Sequence, residues 1–403
     1  MLRASIVARP LAAAGGLLLW LAAGVSGADA IGEALGLAEA SLVVQQGPNI
    51  VLADQADRPM IPASTMKLVT ALAAIEHWGL SHRFTTAIYR DHDNRLWIKG
   101  GGDPYLVAEE LDLLVAALRE QGLRTVTGIG LDDGLFAADD RIPGRSDSDN
   151  PYDAPVTALA VNFNTVYLRV AAGHVSSAEA QTPVTATAQR LGATMGNGRH
   201  RINLRTRDNA LYHFGEVFQA KLQAAGVDAR GDVRLGSVPA GARRLLVHEN
   251  TRTLETVVED MLAYSTNFVA NSLFLALGER HGRSSMAQSQ QSLERWARAR
   301  FGWREFRIED GAGLSRGNRL SGRQLLDVLQ ALEPYRALLP RQDDNPAVRA
   351  KTGTLSGVSA YAGWARRDGD WLAFSLLINQ PVDYGFRLRV ANALTGGATL
   401  ARN

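Results

Sequence analysis

Pro62-Ala63-Ser64-Thr65-Met66-Lys67-Leu68 is the stretch that decides how this chain is read. Residues 66–78 after it are rich in Leu, Ala and Ile, and Gly79 follows. Proline near the start and glycine just past the end predict a helix whose first turn carries Ser64. Lys67, three residues on, falls on the same helical face. A serine hydroxyl is a weak nucleophile and needs an adjacent base. A neutral lysine amine can supply one, whereas arginine keeps its proton in a protein. Of the 43 basic residues only Lys67, Lys99, Lys221 and Lys351 are lysines. A lysine kept beside a serine in so arginine-rich a chain points to a Ser/Lys nucleophile pair.

Two further motifs follow in order. Ser265-Thr266-Asn267 is an S-x-N, and Lys351-Thr352-Gly353-Thr354 is a K-T-G. The first motif sits at a helix start, the second between two helical stretches, and the third opens a strand region. Coincidence of all three in this order is on the order of one chain in a thousand. The bland reading makes Ser64 a helix cap and both lysines surface charges, and it is the lesser one. Lys351 near Lys67 would lower the latter's pKa, as would desolvation. The helix N-terminus favours negative charge developing at Ser64. Backbone N–H groups of Ser64 and Thr354 are expected as oxyanion donors. Lys351 and Thr352 are expected to hold a substrate carboxylate, Ser265 to pass a proton to the leaving amine, and Asn267 to bind the acyl side.

Competing motifs fail. Gly313-Leu314-Ser315-Arg316-Gly317 has the G-x-S-x-G form, but that elbow needs a histidine later in the chain, and all eight histidines precede residue 282. None makes H-x-x-x-H or H-E-x-x-H, so no metal site is expected. Gly100-Gly101-Gly102 lacks the following Gly-Lys-Ser/Thr of a phosphate loop and reads as a turn. No cofactor is implied.

Composition bounds the rest. A formal net charge of +2 and the lack of a basic run give no reason to expect nucleic acid as a partner. Arg3 and Arg9 precede an apolar stretch, residues 11–25, that ends in Ala28-Asp29-Ala30. That is the layout of a secretory signal peptide over residues 1–30, cleaved after about Ala30, and it is favoured over a short, glycine-interrupted membrane anchor. The mature chain is expected in the periplasm, without integral membrane association. There are no cysteines, which removes disulfides, thiolate nucleophiles and lipoprotein modification.

Short strands are expected over residues 41–46 and 50–53, and a hairpin over residues 83–90 and 95–99. Helices are expected over residues 108–121, 254–263, 268–277 and 284–301. Near the end, strands over residues 358–366 and 371–379 turn at Asp368-Gly369, followed by a helix over residues 384–394. The stretch 125–247 reads mostly as short strands broken by Gly, Pro, Asp and Asn. The plan is an α+β catalytic domain built from residues 31–80 and 250–403. A β-rich domain, residues 81–249, is inserted in it.

The three motifs resemble those of the penicillin-recognising serine enzymes, the DD-peptidases and β-lactamases. Residues 62–68, Gly100-Gly101-Gly102-Asp103-Pro104, Asp310-Gly311-Ala312-Gly313-Leu314-Ser315 and Ala350-Lys351-Thr352-Gly353-Thr354-Leu355 narrow the likeness. It is to the D-alanyl-D-alanine carboxypeptidase/endopeptidase family of the penicillin-binding protein 4 type. The 201 positions from Ser64 to Ser265 match that family's insertion and far exceed a class A β-lactamase interval. The resemblance implies an antiparallel sheet flanked by helices and an acyl-enzyme on Ser64. It implies hydrolysis of peptidoglycan stem peptides ending in D-alanine, or of their cross-links, and inactivation by β-lactams. It casts Lys351, Thr352, Gly353 and Thr354 as substrate-binding. A nested third domain is expected to be reduced to residues 172–205. The family's Trp and acid before Tyr-x-Ala-Pro are here residues 143–149, without the Trp. Asp147 or Asp149 is the acid left to read a diaminopimelate side chain; a solvated acidic loop is the alternative. The rival functions are a β-lactamase and a catalytically weak peptidoglycan-binding protein.

Overall fold

Leu42, Val43 and Val44 alternate between two hydrophobic cores, and that alternation sets the architecture. They lie on β1 (Ala40–Gln46), which follows α1 (Gly27–Leu35) and precedes β2 (Asn49–Asp54). The computed structural model describes residues 27–138 and 141–396. The signal peptide expected over residues 1–30 lies almost wholly outside the described residues. No helix among the described residues is long and apolar enough to cross a membrane.

A 3-10 turn, Ala63–Thr65, leads into α2 (Met66–Trp78); β3 (Thr85–Arg90), β4 (Leu96–Gly100), α3 (Ala108–Glu120) and β5 (Ile129–Asp132) follow. Next come β6 (Thr165–Ala171), β7 (His174–Ser177), α4 (Ala186–Gly192), β8 (Gly198–Asn203), α5 (Arg207–Ala224), β9 (Val233–Leu235) and β10 (Arg243–Glu249). The chain closes with α6 (Leu254–Tyr264), α7 (Asn267–Leu277), α8 (Met286–Phe301), α9 (Gly322–Leu332), β11 (Arg341–Gln342), β12 (Asn345–Leu355), β13 (Val358–Arg367), β14 (Asp370–Ile378) and α10 (Phe386–Thr395).

Six strands form the main sheet in the order β11-β12-β13-β14-β1-β2, with every pairing antiparallel. β1 therefore adds the N-terminal β1–β2 hairpin to one side of a sheet otherwise built from the last sixty or so residues, against β14. Strands buried on both faces read as near-continuous apolar runs, as β13 and β14 do. One face, with Leu42, Val44, Tyr361, Phe374 and Leu376, is covered by α1 and α10. The other, with Val43, Ala360, Ala362 and Leu377, packs on α2 and the helices around it. Ten consecutive residues of α2, Met66 to Ile75, are buried. A helix apolar nearly all round belongs in a core, and Lys67 goes in with it.

Residues 81–249 hold a five-stranded sheet, β10-β3-β4-β5-β9, and a three-stranded one, β7-β6-β8, each with its own core. The small sheet begins at Thr165, ahead of the nested segment expected from the sequence. Beside the expected helix α3, the stretch 125–247 read as mostly short strands needs correction: it also carries α4 and the 18-residue α5. In α5 the apolar positions Leu211, Phe214, Val217, Phe218 and Leu222 are helically spaced. Buried His213, Gly215 and Lys221 interrupt that pattern. Two pairings here, β4–β5 and β5–β9, are parallel.

Candidate active site

Ser64 sits half-buried in the 3-10 turn that feeds α2, on a backbone bent by Ala63 at φ 44°. Thr65 secures the turn, its hydroxyl donating to the Pro62 carbonyl at 2.6 Å. Two glycines let other segments close on it. A Cβ at Gly313 would stand 1.8 Å from the Ala63 carbonyl oxygen, and one at Gly353 would stand 2.9 Å from the Ser64 nitrogen. The loop at residues 310–315 and strand β12 can therefore both touch the serine turn.

Lys67 is completely buried. Its Nζ lies 3.0 Å from Ser64 Oγ, 2.8 Å from Asn267 Oδ1 and 2.8 Å from the Ala312 carbonyl oxygen. A neutral amine has two hydrogens and one lone pair. The Asn267 and Ala312 oxygens can only accept, so they take both hydrogens. The lone pair is left facing the Ser64 hydroxyl. Burial first, then the Lys351 cation, drive the Lys67 pKa well below 10.5, with Asp310 opposing.

The partners of Lys67 are themselves held. Asn267 is the first residue of α7, and its Nδ2 donates to the Tyr152 carbonyl at 3.2 Å, which fixes the amide's orientation. Buried Asp310 accepts from the backbone N–H groups of Ala312, Leu314 and Ser315 at 3.0, 3.1 and 3.0 Å, and from Asn318 Nδ2 at 2.6 Å. Thr70 Oγ1 donates to the Gly311 carbonyl at 2.7 Å, and the Gly311 N–H donates to Asn271 Oδ1 at 2.8 Å. Ser315, the rejected elbow serine, is buried in this loop and hydrogen-bonds Glu309. The sequence named Asp310 within a motif but assigned it no task, and a backbone acceptor such as Ala312 O leaves no residue-type signal.

Ser265 occupies the left-handed link between α6 and α7, at φ 55°, two positions before Asn267. It is half-buried and makes no hydrogen bond to Ser64, Lys67 or Lys351. Lys351 is 2% exposed, and its Nζ donates to the Thr352 carbonyl at 3.1 Å. Burial, then Arg387, lower its pKa from 10.5 to about 8. Gly353 is buried, Thr352 half-buried and Thr354 exposed. β11 pairs with β12 only as far as Arg349, so Lys351 to Thr354 form an open sheet edge beside the serine turn. Arg387 was invisible as a site residue, one arginine among 39. Its Nη1 donates to Gly353 O at 2.8 Å and to Thr354 Oγ1 at 2.7 Å.

Of the two acids considered for side-chain reading, Asp149 is held by Arg205 through two bonds of 2.7 and 3.0 Å. Asp147 is 81% exposed and, among the described residues, bonds Arg141 Nη2 alone, at 2.9 Å.

A helix-start serine and lysine, an S-x-N link and an open K-T-G edge on a helix-flanked antiparallel sheet define a serine peptidase of the penicillin-binding type. The chain belongs to the D-Ala-D-Ala carboxypeptidase 3 (S13) family, whose sequence profile matches residues 29–201, 192–346 and 333–395. The expected resemblance thus holds, and with it a serine-type peptidase. The D-alanyl-D-alanine carboxypeptidase of Actinomadura sp. (strain R39) is 29% identical over 397 residues, covering 79% of this chain and 73% of its own length. D-alanyl-D-alanine carboxypeptidase DacB of Haemophilus influenzae is 26% identical, covering 79% and 80%. The crystal structure of penicillin binding protein 4 (dacB) from that organism shares the fold, with TM-score 0.74, 21% identity and coverage of 92% of this chain and 98% of that one. The Bd3459 predatory endopeptidase of Bdellovibrio bacteriovorus shares it less closely, with TM-score 0.55, 14% identity and coverage of 88% and 90%.

Proposed function

We propose that this protein is an exported D-alanyl-D-alanine carboxypeptidase and endopeptidase that cleaves peptidoglycan stem peptides through an acyl-enzyme on Ser64. The observation that carries this reading is the three-way contact of Lys67, with two pure acceptors on its hydrogens and Ser64 on its lone pair. Lys67 takes the hydroxyl proton as Ser64 Oγ attacks the carbonyl carbon of the penultimate D-alanine. The N–H groups of Ser64 and Thr354 receive the oxyanion. The proton on Lys67 is relayed through the Ser265 hydroxyl to the departing amine, and water then hydrolyses the ester. The peptide adds as a strand to the open edge of β12. Lys351, Thr352 and Thr354 hold the terminal carboxylate, Gly353 lets the edge approach Ser64, and Asn267 binds the acyl side. Asp147 is the acid exposed enough to read a cationic side chain.

Residues 31–80 and 250–403 make up the catalytic domain in this reading, and residues 81–249 the insertion. The basic-then-apolar leader sends the chain to the periplasm, with cleavage near Ala30. Penicillins, which acylate enzymes of this class, are the inhibitors.

Labelling with a fluorescent penicillin tests the assignment. The wild type is expected to label covalently, and Ser64→Ala and Lys67→Arg to lose the label. Persistent labelling of Ser64→Ala would sink the nucleophile, and near-normal labelling of Lys67→Arg would sink the neutral base. Release of D-alanine from a pentapeptide, run beside cleavage of a cross-linked dimer, apportions the two activities. A protein that labels but releases nothing is the wall-binding rival, and one that sheds penicillin fast is the β-lactamase.

A further inference from the structure

Asn162, Phe163 and Asn164 stand in succession at φ 51°, 60° and 53°. L residues enter this left-handed region singly, and a large side chain seldom does. Such a run persists only where its surroundings hold it. Both asparagines are buried and tie the turn down. Asn162 Nδ2 donates to Thr182 Oγ1 at 2.9 Å, while its Oδ1 accepts from the Ala108 N–H at 2.9 Å. Asn164 Nδ2 donates to the Pro155 carbonyl at 2.8 Å and to Thr157 Oγ1 at 2.7 Å. What the strained backbone delivers is the ring of Phe163. It packs against the core of the catalytic domain, edge-on between Tyr105 and Phe268, with ring centres 5.1 and 6.2 Å away. Tyr105 is in turn hydrogen-bonded to Asp260 of α6.

Phe268 is 3% exposed and follows Asn267 in the first turn of α7. The same turn reaches Asn267 by a second route. Pro155, held by Asn164, lies three residues after Tyr152, whose carbonyl accepts from Asn267 Nδ2. The turn thus bears both on the chain neighbour of Asn267 and on the segment that receives its amide N–H. Asn267 Oδ1 takes one hydrogen of Lys67. An amide rotated by half a turn would offer Nδ2 hydrogens to the amine instead, and Lys67 would then turn a hydrogen toward Ser64. We propose that Phe163 is a positioning residue: with the asparagine turn that carries it, it fixes Asn267 with its oxygen toward Lys67. The insertion thereby helps to aim the base. This inference rests on the Ser64 reading above.

The test measures the rate of penicillin acylation per site that finally labels, beside the melting temperature of each protein. Proteins are the wild type, Phe163→Ala, Phe163→Gly, Asn267→Ala, the Phe163→Gly/Asn267→Ala double variant and Leu118→Ala. Glycine meets a positive φ without the steric cost that alanine bears, so Phe163→Gly should melt higher than Phe163→Ala. Both should nevertheless acylate about tenfold or more slowly than wild type, and to the same extent, because both lack the ring. Without the Asn267 oxygen the ring has nothing to aim, so the double variant should acylate within about twofold of Asn267→Ala. Leu118 is buried in the insertion's own core, on α3. Leu118→Ala should melt lower yet acylate at the wild-type rate. Acylation that follows melting temperature across these variants would make the ring a prop for the fold and overturn the inference. So would wild-type acylation in Phe163→Gly, a Phe163→Gly chain that does not fold, or a further fall of about tenfold from Asn267→Ala to the double variant. Any of these in company with a wild type that labels at Ser64 overturns this inference alone. A wild type that does not label overturns the Ser64 reading as well.

Discussion

Lys67 Nζ stands 2.8 Å from the carbonyl oxygen of Ala312, 245 positions further along the chain. With Asn267 Oδ1 as the other acceptor, this contact occupies both hydrogens of a neutral amine away from Ser64, which is the geometry the proposed base needs. Burial, then the Lys351 cation, push its pKa well below that of an ordinary lysine.

Acylation should consequently have a bell-shaped pH dependence. The rate by penicillin rises as Lys67 loses its proton, through a pKa well below that of a free lysine. It falls again near pH 8, where Lys351 gives up its charge. Lys351→Arg should abolish the alkaline limb, because arginine does not deprotonate in this range. A rate flat from pH 5 to about 10 in the wild type would contradict both assignments.

Lys351 also bears on stability. Its folded pKa, about 8, is below the ordinary 10.5, so the unfolded chain binds more protons between those values and stability rises with pH across that window. Below it the full cost of the buried cation applies, up to about 3 kcal/mol. Lys351→Met should therefore unfold at higher temperature than wild type at pH 7 while losing activity. The gain should shrink as pH is raised from 8 toward 10. A lower melting temperature at pH 7 would show that the cation is stabilised by contacts other than those described.

The order of motifs along the chain was enough to place α2, the α6–α7 link and the K-T-G strand, because each needs a residue type that little else can replace. Lys67 stood out for that reason; arginine there would be inert as a base. Lys221 carried no comparable signal and proves to be a buried ion-pair partner of Asp112, at 2.6 Å. Lys99 lies exposed on β4. What stayed hidden depends on tertiary packing. Ala312 acts through its backbone, Arg387 arrives on a helix 36 residues beyond Lys351, and α5 buries polar residues that blur its period. Parallel pairing of β4, β5 and β9 likewise leaves no short-range trace.

Asp310 should prove indispensable although it touches no substrate. Its carboxylate accepts four hydrogen bonds that shape residues 310–315 and so aim Ala312 O at Lys67. Asp310→Asn turns one acceptor into a donor facing N–H groups, at a cost of about 2–4 kcal/mol. Denaturant titration should show that loss, and penicillin acylation of the fraction still folded should slow by about tenfold or more. Normal acylation in a destabilised variant would detach the loop from the function of Lys67.

Gly313 and Gly357 offer a matched pair, since both have positive φ, at 80° and 69°, and differ only in their surroundings. An added methyl at Gly357 meets nothing within 4 Å, so Gly357→Ala bears only backbone strain, about 1 kcal/mol, and should label with penicillin as wild type does. At Gly313 the same methyl would stand 1.8 Å from Ala63 O and 3.1 Å from the Met66 side chain. Neither neighbour can yield, because Ala63 and Met66 flank Ser64 in the turn that starts α2. Gly313→Ala should therefore lose about 3 kcal/mol or more, and the part that folds should acylate poorly because the Ser64 turn is pushed from Lys67. Labelling at the wild-type rate in Gly313→Ala would mean that the loop can withdraw from the serine turn without disturbing it. The close approach of residues 310–315 would then have no part in setting the nucleophile.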